Sequence, residues 1–141
     1  MDVKQVIVIR RKYPDGKGGF FNIRRGKEIA QACHASIKFL TERLRQLKPI
    51  STCELGSLLE VELSVIELHW IQNKFKKICL QVDTEQELLD IHQKAIDAGL
   101  SSYLILDSGL TEFTEPTNTV IAIGPDESSK IDLITGHLKL Y

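Results

Sequence analysis

The sequence predicts a single α/β domain over residues 1–141, with a mixed four-stranded sheet flanked by helices on both faces. Three observations carry that expectation. Strand-like and helix-like segments alternate along the chain in the order β-α-(α)-β-α-β-β-α. The length of 141 residues fits one domain and leaves little room for two. An apolar share of 43% and a charged share of 26% suit a globule of this size with its own core.

Taken in order, residues 4–10 form a short β-branched run that reads as a buried strand. Residues 13–22 are rich in Gly and turn formers and read as a loop. A helix is expected from Gly26 to Leu47, with Pro49 as its stop. Its apolar positions Ile29, Cys33, Ile37, Leu40, Leu44 and Leu47 recur at spacings of three and four and predict the buried stripe. The opposite face carries Lys27, Gln31, His34, Lys38 and Arg45. Lys27, Gln31 and His34 fall on one side of the helix.

Residues 50–60 read as loop. Ser64 and Glu67 have the spacing of a capping box for a short helix that includes Leu68 and Trp70. Phe75 to Val82 is a second strand, with Ile78, Leu80 and Val82 alternating. Thr84 and Glu87 repeat the capping-box spacing. The helix that follows buries Leu88, Ile91, Ala95 and Ala98 and stops at Gly99. Tyr103–Leu106 and Asn118–Ile123 are the third and fourth strands, and a short helix is expected from Asp126 to about Thr135.

Composition narrows the function. Cys33, Cys53 and Cys79 are scattered with no CxxC pair, which argues against a disulfide framework or a zinc ribbon and for a reducing compartment. His69, His92 and His137 have no metal-ligand spacing with them, so no metal is expected. Val6–Ile9 is too short for a signal sequence, and no run nears the ~20 apolar residues of a membrane helix. A cytoplasmic, membrane-free protein is expected. The net charge of −1 conceals an asymmetry: residues 1–48 hold 12 cationic and 4 anionic side chains, residues 49–141 hold 6 and 15. A basic end is the footprint of a polyanion contact, although a solvated surface gives the same composition.

Three regions could carry chemistry. Arg24-Arg25-Gly26-Lys27 sits where a helix begins, and exposed N–H groups with three cations make a phosphate seat. Cations there oppose the helix dipole, a local conflict expected at functional sites. It is not a nucleotide P-loop: Gly19 is seven residues before Gly26 rather than five, and Glu28 replaces the hydroxyl residue that binds Mg²⁺. Asp107-Ser108-Gly109-Leu110-Thr111 follows an apolar strand, where ligand sites of α/β sheets lie. An Asp side chain that bonds its own turn explains the same residues, and on physics alone that explanation is preferred. His34 shares a face with Lys27 and Gln31, while Cys33 lies on the apolar stripe and reads as core.

The residues also resemble a family. Lys4-Gln5-Val6-Ile7-Val8-Ile9-Arg10 resembles the opening strand of the type 2 peptidyl-tRNA hydrolases, the archaeal and eukaryotic kind. Arg24-Arg25-Gly26-Lys27-Glu28-Ile29-Ala30-Gln31-Ala32-Cys33-His34-Ala35 is similar to that family's Gly-Lys-x-x-Ala-Gln-x-x-His-Ala helix start. Residues 103–109, 119–125 and 135–140 resemble its Asp-Ala/Ser-Gly turn, its late strand and its closing segment. The Tyr13–Ile23 and Pro49–Lys74 segments are longer than the family's usual connections, and Leu110 stands where many archaeal relatives carry Arg.

The resemblance implies hydrolysis of the ester joining a peptide to the 3′ ribose of tRNA, without metal or other cofactor, by a protein that is commonly a homodimer. It places the catalytic Lys, Asp and Thr on Lys27, Asp107 and Thr119. Asp107 would orient or deprotonate water, Lys27 would stabilise the oxyanion or hold a phosphate, and Thr119 would hydrogen-bond substrate or water. Gln31 and His34 would line the same wall, Arg24 and Arg25 would track the tRNA backbone, and Lys38 and Thr111 complete the expected substrate-binding set. Two other readings fit the same residues: a non-catalytic relative that binds RNA or protein through the basic helix start, and a hydrolase for another acyl ester on a nucleotide or small RNA.

Overall fold

A computed structural model describes residues 1–141. The central sheet holds β1 (Val3–Arg10), β6 (Lys77–Val82), β7 (Ser102–Asp107), β8 (Thr117–Glu127) and β9 (Lys139–Leu140), in the order β7-β8-β1-β6-β9. β1 pairs parallel with β6 and antiparallel with β8, and the β7–β8 and β6–β9 pairs are antiparallel. The sheet is therefore mixed, as expected, with five strands rather than four. The extra strand is two residues at the edge, too short for a period-two pattern to register.

Helices cover both faces. α3 (Glu85–Asp97) and α4 (Ser128–Thr135) pack on one, through Leu88, Ile91, Ala95 and Ile131 against Val6, Val8, Leu80, Val82, Ile121 and Ile123. α1 (Arg25–Gln46) and α2 (Val65–Gln72) cover the other. There Ala35 meets Ile7, Ile9, Val120 and Ala122, and Phe39 and Trp70 meet Val3. β1 is thus buried on both sides, and each fully buried Val or Ile contributes about 1.5–3 kcal/mol. Burial stops before Ala98, which is exposed because α3 ends at Asp97.

Both caps form, with one difference. Ser64 and Glu67 make the reciprocal capping box, and Glu67 also takes a two-pronged bond from Arg43 at 2.7 and 2.8 Å. At α3 the Thr84 hydroxyl accepts from the Glu87 N–H, but the Glu87 carboxylate reaches back to the Asp83 N–H instead of that of Thr84.

The long helix is rotated from its expected setting. Its inward residues are Glu28, Gln31, Ala35 and Phe39, whereas Ile29 and Ile37 are 58% and 50% exposed and Cys33 is exposed too. The reason is steric and polar at once. Ala35 lets the helix approach the sheet closely, Phe39 fills the space beside Trp70, and Glu28 and Gln31 are buried because they have partners. The displaced stripe of Ile29, Cys33 and Ile37 instead walls an open, almost wholly apolar groove of about 780 Å³ with Leu40, Ile71 and Phe75.

Both expected loops contain small hairpins. β2 (Tyr13–Pro14) pairs with β3 (Phe20–Phe21), and the Asp15 carboxylate closes the turn by accepting from the Lys17 and Gly19 N–H groups. Tyr13 and Phe21 pack with Phe113 at ring distances of 4.7 Å for Tyr13–Phe113 and 6.1 Å for Phe21–Phe113. β4 (Ser51–Cys53) and β5 (Gly56–Leu58) form a second hairpin, exposed along its length.

Candidate active site

The start of α1 and the end of β7 meet at one edge of the fold. Lys27 and Gln31 are one helical turn apart and project together toward that edge. The Lys27 ammonium lies 3.1 Å from Oδ1 of Asp107, and both side chains are about nine-tenths covered, at 11% and 12% exposure. The same ammonium donates to the Thr111 hydroxyl at 2.5 Å and lies 5.1 Å from the centre of the Phe113 ring.

Asp107 serves the turn and the ion pair together. Its Oδ2 accepts from the Gly109 N–H at 3.0 Å, which is the Asx turn that its sequence suggests. Its Oδ1 faces Lys27 and the Gln31 amide, the latter at 3.4 Å. Gly109 is required here: its φ is +80°, and a Cβ would lie 2.5 Å from the Glu115 backbone. Burial pushes the Asp107 carboxyl up, but the Gly109 N–H and Lys27 together hold it below the usual carboxylate range. It is therefore ionised at neutral pH.

Thr119 sits behind this pair and is fully buried. Its hydroxyl donates to Oε1 of Gln31 at 2.6 Å, which turns the Gln31 amide N–H toward Asp107. Lys27, Gln31, Asp107, Thr111 and Thr119 thus form one connected polar network. Thr119 reaches it from beneath, through Gln31.

The other expected binding residues make no hydrogen bond to this network. Arg24 and Arg25 are exposed at the helix start, and His34 is exposed farther along α1. Lys38 is committed elsewhere, donating to the Leu104 carbonyl at 2.7 Å with Glu42 at 3.5 Å. The structure therefore brings Lys27, Gln31, Thr111, Asp107 and Thr119 together and leaves His34 and Lys38 outside the hydrogen-bonded cluster.

Sequence reasoning missed two carboxylates that answer the helix-start conflict. Glu28, in the first turn of α1, accepts from Arg11 Nε at 3.1 Å and from the Tyr141 hydroxyl, and the Arg11 guanidinium stacks 4.3 Å from the Tyr141 ring. Glu112 accepts from both the backbone N–H and Nε of Arg24. Two anions at a helix start offset three cations there. Glu28 was visible beside Lys27 as the residue that excludes a P-loop, but its partners lie 17 and 113 positions away.

Comparison with known proteins shows the family of the chain. Residues 3–141 match the model of the family described as Peptidyl-tRNA hydrolase PTH2. The chain is 38% identical over 138 residues to the peptidyl-tRNA hydrolase of Methanothermobacter thermautotrophicus, covering 98% of this chain and 99% of that one. It is 37% identical over 139 residues to that of Nanoarchaeum equitans, with 99% of each chain covered. A probable peptidyl-tRNA hydrolase 2 of Dictyostelium discoideum is 34% identical over 140 residues, which is 99% of this chain but 55% of that protein. Among solved structures, a protein of unknown function from Agrobacterium tumefaciens shares the fold, with a TM-score of 0.53 at 13% identity over 100% of this chain and 98% of that one.

Proposed function

Because the chain belongs to the type 2 peptidyl-tRNA hydrolase family, we infer that it cleaves the ester between a peptide and the 3′ ribose of tRNA, with Lys27 and Asp107 at the reacting atoms. The observation that carries the assignment of residues is the Lys27–Asp107 pair, an ammonium and a carboxylate 3.1 Å apart on a partly open edge of the sheet. An ester hydrolase needs a group to take a proton from water and a group to bear the charge that develops on the carbonyl oxygen.

In the proposed step, water held by Asp107 attacks the ester carbonyl carbon and its proton passes to the carboxylate. Lys27 turns to the carbonyl oxygen as it becomes an oxyanion. Departure of Lys27 removes a partner that holds the Asp107 carboxyl low, so Asp107 becomes more basic as the charge develops. The carbon–oxygen bond to the ribose then breaks, and the 3′ oxygen leaves with the proton that Asp107 holds. Thr119 acts through Gln31, which keeps the carboxylate aimed. Thr111 is the hydroxyl that holds Lys27 before substrate arrives. Arg24, Arg25 and His34 face the tRNA, and Lys38, half-buried and bonded to the Leu104 carbonyl, borders that surface.

The test of the reaction is peptide release from an N-blocked aminoacyl-tRNA. Release is expected, with kcat/KM falling steeply between about 50 and about 200 mM salt because phosphate contacts release counterions. Absence of release at every salt concentration from folded protein contradicts the reading.

The protein works in the cytoplasm, where its substrate is made; no helix is long and apolar enough to cross a membrane. It works as a homodimer, and the face that supports this is the open groove walled by Ile29, Ile37, Leu40, Ile71 and Phe75. An exposed apolar surface of this kind is costly unless covered. Ile37→Glu should therefore convert a dimer to a monomer, read by sedimentation velocity. A dimer that survives the substitution places the interface elsewhere.

A further inference from the structure

Glu112 joins the start of α1 to the loop that follows β7. Its Oε2 accepts from the Arg24 backbone N–H at 3.1 Å and its Oε1 from Arg24 Nε at 2.5 Å. Arg24 is the residue that caps α1, and its own side chain caps nothing. The two donors form a fork at the positive end of a 22-residue helix, and a carboxylate fills it as two phosphate oxygens would. The Arg24 side chain is 81% exposed, so the fork is open to a ligand, while Glu112 is 19% exposed and held in it. Glu112 also follows Thr111, whose hydroxyl takes the Lys27 bond, and precedes Phe113, which packs on Tyr13. The loop that ends in this carboxylate is thereby fixed against the reacting pair.

We propose that Glu112 is a positioning residue that occupies a substrate-phosphate seat at the start of α1 in the free protein, and so sets how tightly and how salt-dependently tRNA binds. The proposal rests on the tRNA reading above. An arriving phosphate meets an ion pair rather than a bare cation and must displace a carboxylate to gain both donors. Arg24 therefore contributes less to counterion release than an unpaired arginine would. The bond from Arg24 also holds the Glu112 carboxyl below its usual range, so the seat stays filled by a charged group at neutral pH. Only an anion with two oxygens in the carboxylate geometry replaces it without losing a bond, which favours a phosphodiester over a neutral part of the substrate.

The experiment measures tRNA binding across a salt series for wild type, Glu112→Gln, Glu112→Asp and the double variant Glu112→Gln with Arg24→Ala. Glu112→Gln should bind about 1.5- to fivefold more tightly at low salt, the effect of unpairing one exposed cation. Its plot of log affinity against log salt should be steeper by about 0.7–0.9, the contribution of one further phosphate contact. Glu112→Asp keeps the charge and should follow the wild type. Adding Arg24→Ala to Glu112→Gln should return the slope to the wild-type value. An unchanged or shallower slope in Glu112→Gln, or a steeper slope that survives loss of Arg24, overturns the proposal. Peptide release by the wild type is measured in parallel. Release with an unchanged Glu112→Gln slope removes this inference alone, whereas no release removes the function on which it rests.

Discussion

Lys27→Ala is expected to lower kcat/KM for N-blocked aminoacyl-tRNA by about 10²–10³, the usual cost of losing one oxyanion donor. The fold should survive, because Lys27 packs at a partly open edge and its partner Asp107 keeps the Gly109 N–H and the Gln31 amide. Far-UV circular dichroism and the melting temperature check that point. Lys27→Arg separates charge from shape. It keeps a cation, but the larger, planar guanidinium does not fit the place of the compact ammonium between Thr111 and Asp107. It should recover only part of the lost rate. Full activity in Lys27→Ala removes Lys27 from the mechanism.

Asp107→Asn carries the second large effect. The amide keeps the size of the side chain and can still accept from the Gly109 N–H, but it cannot take a proton. The expected loss in kcat is about 10²–10⁴. The pH profile adds a test with a definite sign. The native carboxyl is depressed, so its ionised form is complete above the ordinary carboxylate range and is lost only as pH falls through the lower native value. The acid limb of kcat/KM should therefore lie below the pH at which an unperturbed aspartate titrates. In Lys27→Ala the limb should move up, because burial of Asp107 remains while the ammonium that opposed it is gone. A limb that stays in place in Lys27→Ala means that another group titrates.

Some of this was legible in the chain and some was not, for reasons that differ by residue. α3 was readable because Leu88, Ile91 and Ala95 make its single inward stripe and Thr84 caps it. β1 was readable because its centre, Val6–Ile9, is buried on both faces and is therefore continuously apolar. α1 misled because it carries two apolar faces. The more hydrophobic one, with Ile29 and Ile37, lines the open groove, and the one with Ala35 and Phe39 meets the sheet. Hydrophobic spacing records which residues avoid water, not what covers them.

The site divides in the same way. Lys27 and Gln31 were placed together by helical geometry alone. Their meeting with Asp107 depends on pairing of β7 with β8, and Thr119 reaches them from 88 positions beyond Gln31. Contacts between segments so far apart leave no local pattern. Glu112 illustrates the limit: in the sequence it is one acid among the many of the carboxyl-terminal part, and only the fold sets it on Arg24.

The most direct test is the initial rate of peptide release from an N-blocked aminoacyl-tRNA, wild type beside Asp107→Asn, with both proteins checked for fold. Turnover by the wild type and a loss of at least about 10² in the variant are expected. Equal rates in the two proteins, or no turnover by folded wild type, would contradict the proposed mechanism.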